Sequence, residues 1–214
     1  MTYSEDDLTN ALISWHKQNE HRMFGNYEPE AFYDHYGNRG SVDLYLMYER
    51  PGLNLIEAHI IEVKSEYAVK QVTGANEIIR QFNRARRYFF KDEDRYEPEP
   101  GIPESDVEIY FELCFIPSEG TLVHLLNNAP MYNEALSKEV STADPFNRRN
   151  MPSIQSHITF RDPREVTEIV LADGDSRLLP PPKSFIQRYR SVDEDLYQSL
   201  ERYLTEQPNE RESI

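Results

Sequence analysis

The chain has 214 residues, enough for one ordinary domain with elaborations and a real core. It carries 38 acidic against 23 basic side chains, a formal charge of −15, and has no apolar run long enough to span a membrane. The single cysteine, Cys114, excludes an internal disulfide, and the acidic N-terminus lacks an apolar signal core, so a cytoplasmic protein is expected.

The first helix is predicted to start at Ser4 as N-cap, with Glu5, Asp6 and Asp7 favourable in its first turn. Leu8, Ala11, Leu12 and Trp15 recur at helical spacing, so this stripe, Trp15 included, is assigned to the core. Residues 23–40, rich in Tyr, Glu, Asn and Gly, read as a loop whose Tyr27, Tyr33 and Tyr36 either touch substrate, pack, or stay exposed. Ser41 to Glu49 reads as a strand, Arg50 to Asn54 as a turn, and Leu55 to Val63 as a second strand.

That hairpin carries the chemistry. Its midpoint falls between Gly52 and Leu53, which sets Asp43 nearly opposite Glu62, about 5 Å apart between Cβ atoms. Glu62 and Lys64 are two residues apart and so point to one face of their strand. Ile60-Ile61-Glu62-Val63-Lys64 thus places two charges in an apolar strand, where charge is costly unless used or paired. Two carboxylates suffice for Mg²⁺, which keeps several waters, so Asp43 and Glu62 are candidate ligands with the Val63 carbonyl as a third. A metal held this way polarises a phosphodiester and ionises a water, while the Lys64 ammonium orients that water or meets developing charge. An ordinary cross-strand ion pair is the structural alternative for Glu62 and Lys64.

Gly74 to Phe90 is predicted to be a helix with Ile78, Phe82, Ala85 and Phe89 on its buried face. Arg80, Arg84 and Arg87 take the polar side and Gln81 and Tyr88 the flanks; this is either a nucleic-acid-facing surface or a solvated basic face. Lys91 to Glu104 is an acidic, proline-rich loop, Asp106 to Pro117 a central strand, and Thr121 to Leu126 its hairpin partner. A short helix before Asp144-Pro145, strands near residues 158–160 and 166–172, a stiff connector at 179–183 and a closing helix at 193–206 complete the reading. Arg148 and Arg149 could reach a phosphate. The six histidines form no zinc spacing, and no nucleophile-elbow serine or phosphate-cradling Gly-rich loop is present.

The Gly40-x-x-Asp43 element followed by Glu62-x-Lys64 resembles the PD-(D/E)XK nuclease superfamily, which includes restriction enzymes, RecB-like exonucleases and Holliday-junction resolvases. The resemblance runs over about residues 4 to 116. It implies an α/β fold with an α-β-β-β-α-β core, a mixed central sheet flanked by helices, and Mg²⁺- or Mn²⁺-dependent cleavage of nucleic acid. It also implies a role for Gln81, from the Gln-bearing helix of RecB-like members. A first-helix glutamate is implied too, for which Glu20 is the candidate, with Glu5 and His16 nearby. On this reading the chain is one domain over residues 1–214, with a core at about 4–126 and a C-terminal strand and helix elaboration at about 127–207. DNA is the expected partner, and a homodimer would suit cutting both strands. A binding or regulatory module that keeps the fold without catalysis is the alternative.

The net charge is unusual for a protein that meets phosphates. Only six of the 23 basic residues are lysine, and scarce lysine with abundant acid suggests a protein working in very high salt. There the screening length falls to about 3 Å, so net repulsion matters little and local arginine clusters decide.

Overall fold

A computed structural model describes residues 3–18, 23–53, 55–71, 74–89, 106–137, 153–164, 166 and 168–173, with single positions between 187 and 202. In chain order the elements are α1 (Glu5–Gln18), β1 (Met23–His35), β2 (Asn38–Arg50), a 3₁₀ turn (Pro51–Leu53), β3 (Leu55–Lys64), α2 (Glu66–Gln71), α3 (Ala75–Tyr88), β4 (Asp106–Phe115), α4 (Glu119–Asn127), α5 (Ala129–Ser137), β5 (Ser153–Arg161) and β6 (Glu168–Asp173). The strands form one six-stranded sheet in sequential order. β1, β2 and β3 run antiparallel, β3, β4 and β5 are parallel, and β6 returns antiparallel. The expected α-β-β-β-α-β core is present, and β5 and β6 extend the same sheet.

Helices cover both faces. On one, Leu8, Leu12 and Ile13 of α1 pack against Leu44, Leu46, Ile61, Val63 and Cys114. On the other, Ile78, Phe82, Ala85 and Phe89 of α3 meet Ile56, Ala58 and Ile60, together with Leu122 of α4 and Tyr132 of α5. Each such large apolar side chain contributes roughly 1.5–3 kcal/mol when fully buried. β3 lies between β2 and β4 and is covered on both faces, so its burial is nearly continuous rather than alternating.

Ser4 caps α1 reciprocally: the Asp7 N–H donates to Ser4 Oγ at 3.1 Å, and the Ser4 N–H donates to Asp7 Oδ2 at 2.8 Å. The buried stripe of α1 is Leu8, Thr9, Leu12, Ile13 and His16, turned about one position from the predicted one. Trp15 is therefore not core. It is 43% exposed and meets the buried His16 ring edge-on at 4.7 Å.

Two further expectations are corrected. Residues 23–40 are not a loop: β1 occupies most of them and pairs with β2 through a two-residue turn at Tyr36-Gly37. Both turn residues have positive φ, 51° and 80°, the geometry that two-residue hairpins demand. Residues 121–126 form α4 rather than a strand, because Ser118 caps a helix there through reciprocal bonds with Thr121. The described positions between 194 and 202 are helical, as expected of the closing helix. The acidic loop at 91–104, Arg148, Arg149 and the proline connector lie outside the described residues.

Candidate active site

β2 and β3 pair in one unbroken register from Arg50 opposite Leu55 to Leu44 opposite Ile61. The expected Asp43–Glu62 pair would be the next in this register, one position beyond the last paired residues. Ladder pairing stops there, and the Asp43 carboxylate takes over: its Oδ2 accepts the Val63 N–H at 2.6 Å. The strand also changes face at this point. Val42 belongs to the α3 cluster and Leu44 to the α1 cluster, although residues two apart in a regular strand share a face. Across on β1, Glu30 adopts a φ of 49°, an irregularity of the kind that re-aims side chains beside active sites.

Lys64 Nζ donates to Glu62 Oε1 at 2.6 Å, with both residues buried. Burial and the neighbouring Glu62 charge push the Asp43 carboxyl up to about 7, partly opposed by Lys64 and by the Val63 N–H. Burial likewise raises Glu62 above the usual carboxylate range, against the pull of Lys64. Burial works against the Lys64 ammonium, but Glu62 and Asp43 override it and leave that group raised. The centre thus holds two acids against one amine in a dry place. It is short of positive charge.

A third acid acts on the same centre. Glu5, the first residue of α1, accepts the Ser65 N–H at 3.0 Å through Oε1 and adds repulsion at both Asp43 and Glu62. Sequence reasoning put the first-helix role on Glu20, which lies outside the described residues. No sequence signal ties Glu5 to Ser65, sixty positions away; only the sheet brings them together. A cleft of about 600 Å³ opens beside Glu5, lined by Tyr3, Ser65 and Tyr67 among others; Asp43, Glu62 and Lys64 do not line it.

α3 crosses the other side of the centre. Arg84 acts on Glu62 and hydrogen-bonds the Tyr33 hydroxyl, while its Nε is buried with no acceptor among the described residues. Its neighbours behave differently. Arg80 is held by Glu77 through bonds of 2.7 and 2.5 Å, and Gln81 Nε2 donates to Glu77 Oε1 at 3.3 Å. Arg87 is exposed, and Tyr88 stacks on His35 at 5.9 Å. Arg86, which the sequence did not single out, is buried. It donates to the Ala135 carbonyl at 3.0 Å, and burial pulls its pKa down to about 10.

A family model described as the PD-(D/E)XK nuclease superfamily domain matches residues 3–172. The chain belongs to the PD-(D/E)XK nuclease superfamily. The match takes in Asp43, the Glu62-x-Lys64 strand and β5 and β6 as well as the first part of the sheet. No curated protein and no solved structure gives a significant match. No helix among the described residues is long and apolar enough to cross a membrane.

The superfamily implies a divalent metal. Among the described residues no three His, Cys, Asp or Glu side chains converge as a ready cage. A half-buried and a buried carboxylate that repel each other nevertheless fit Mg²⁺, which takes one or two carboxylates and keeps the rest of its shell as water or phosphate oxygen.

Proposed function

We propose that this PD-(D/E)XK protein is a divalent-metal-dependent nuclease that hydrolyses phosphodiester bonds in DNA. The observation that carries this reading is the convergence of Asp43, Glu62 and Lys64 at one buried end of β3, where the acids outnumber the amine. Mg²⁺ or Mn²⁺ bound there would supply Lewis-acid polarisation of the phosphate and an ionised water. Asp43 and Glu62 would be the carboxylate ligands, beside the Val63 backbone that Asp43 already holds in place. Lys64 would orient the attacking water and meet charge on the scissile phosphate. Gln81, one helical turn from Glu77, would help position substrate. Arg84, whose buried Nε has no acceptor among the described residues, would take a phosphate oxygen, with Arg87 and Tyr88 further along the same helix.

The test is cleavage of labelled linear, circular and junction DNA in high KCl, with and without Mn²⁺. Asp43→Ala and Lys64→Ala should each abolish turnover while circular dichroism stays native. Full turnover in either variant refutes the assignment. Metal-independent DNA binding without any cleavage would instead favour the non-catalytic module. The salt reading is tested separately: solubility and monodispersity should improve from low to multimolar KCl, and full stability without salt would count against a halophilic protein.

A further inference from the structure

The β1–β2 hairpin runs past the end of β3, and its tip is built rather than loose. The Gly37 N–H donates to Asp34 Oδ1 at 2.9 Å, and Asn38 Nδ2 donates to the His35 carbonyl at 3.1 Å. At the point of this braced turn stands Tyr36, 94% exposed, with a φ of 51°. Asparagine, aspartate or glycine suits that position; a tyrosine there strains the backbone and gains no burial in return. Its ring meets His35 edge-on at 4.7 Å, and His35 in turn stacks on Tyr88 of α3 with the ring planes 26° apart. Tyr88 lies one helical turn beyond Arg84, the residue that acts on Glu62, a separation of about 6 Å along the axis. Exposed Arg87 and Arg39 supply positive charge at the same end.

We infer that Tyr36, with the His35–Tyr88 pair, is a stacking platform for an unpaired base, and that the substrate carries single-stranded nucleotides roughly 20 Å from the scissile phosphate, since Tyr36 stands seven residues along the hairpin from Asp43 at about 3.3 Å each. An exposed ring at the tip of a braced turn, linked through His35 and Tyr88 to the helix that carries Arg84 and Arg87, suits a base that is already free of its duplex partner. A continuous duplex keeps its bases stacked on one another and has no face to offer the ring. This inference rests on the nuclease reading, since it names the substrate of the same site.

Fluorescence anisotropy in EDTA at fixed KCl, with a labelled single-stranded oligonucleotide and a hairpin duplex of the same sequence, separates the two. Tyr36→Asn places the residue best suited to the turn, so its melting temperature should hold or rise. Its preference for single strand over duplex should fall about tenfold, the loss of one stacked base. Tyr36→Trp should keep the preference. Unchanged preference in Tyr36→Asn, or no single-strand binding by the wild type, overturns the platform. Failure of the wild type to cut any DNA with Mn²⁺ would sink the nuclease reading instead, without altering the binding result.

Discussion

Gly40 lies beneath the ring of its cross-strand partner Tyr33, so closely that a Cβ at position 40 would stand 2.7 Å from the Tyr33 hydroxyl. Tyr33 is buried and its hydroxyl is bound to Arg84, so the glycine of the Gly-x-x-Asp element makes room for a ring that steadies the arginine.

Gly40→Ala should therefore cost about 1–3 kcal/mol by overpacking and displace the Tyr33–Arg84 contact. Thermal melts read the first effect and DNA affinity the second. Adding Tyr33→Phe removes the closest atom and should recover part of the stability but not the affinity. A Gly40→Ala protein with wild-type melting and binding would show that the ring shifts freely.

Asp43 should make metal-free protein less stable as pH rises. Its carboxyl is raised to about 7 in the folded state from an ordinary 3.8, so the folded chain holds a proton that the unfolded chain has released between those values. Stability from this group is thus lost progressively as pH climbs through that window, and the loss levels off above about 7. The stability of wild type relative to Asp43→Asn should fall from pH 4 to pH 8 in EDTA, and saturating Mg²⁺ should reverse the trend at the alkaline end. A flat difference would place Asp43 at an ordinary carboxylate pKa.

Glu5 should matter by charge as well as by contact. Glu5→Gln keeps an oxygen for the Ser65 N–H, whereas Glu5→Ala loses the bond, worth about 1 kcal/mol. Both variants should bind Mn²⁺ several-fold more weakly by calorimetry, because each removes one of three acids from the centre. Wild-type Mn²⁺ affinity in Glu5→Gln would show that Glu5 only braces the start of α2.

The far side of the sheet offers a stability test. Glu112 of β4 is buried; burial pushes its carboxyl up, but a two-pronged Arg161 contact of 2.5 and 2.8 Å and the Thr159 hydroxyl override this and hold it low. Arg161→Ala leaves a buried charge unpaired and should cost roughly 3–5 kcal/mol in denaturant melts. The double change Glu112→Gln with Arg161→Met should restore most of it. A loss below about 1 kcal/mol in the single variant would mean that water reaches Glu112.

The hairpin that leads to the centre was legible because a turn midpoint fixes the register from Arg50–Leu55 to Leu44–Ile61, whereas the change of face at Asp43 breaks the alternation and left no trace in the spacing. The α3 stripe was legible from four apolar residues at helical spacing. β1 was not, because a solvent-facing edge strand needs no apolar alternation and carries Pro29 and several charges. In α4, Thr-Leu-Val-His-Leu-Leu is a short apolar run without a period, which suits a strand or a buried helix equally; the Ser118–Thr121 cap was the deciding signal. Glu5 and Tyr33 reach the centre through tertiary packing, which no local spacing encodes.

Arg86 spends its guanidinium on the Ala135 carbonyl rather than on a ligand, fastening the helix beside the acids to α5. A fragment cut after β4 would keep every acid and amine of the centre in its sequence. It would also strip that carbonyl from Arg86, Tyr132 and Leu136 from the layer over α3, and Arg161 from Glu112, while turning β4 into an open edge. The smallest piece that folds with this centre intact should therefore reach at least through β5, well past the residues that form it.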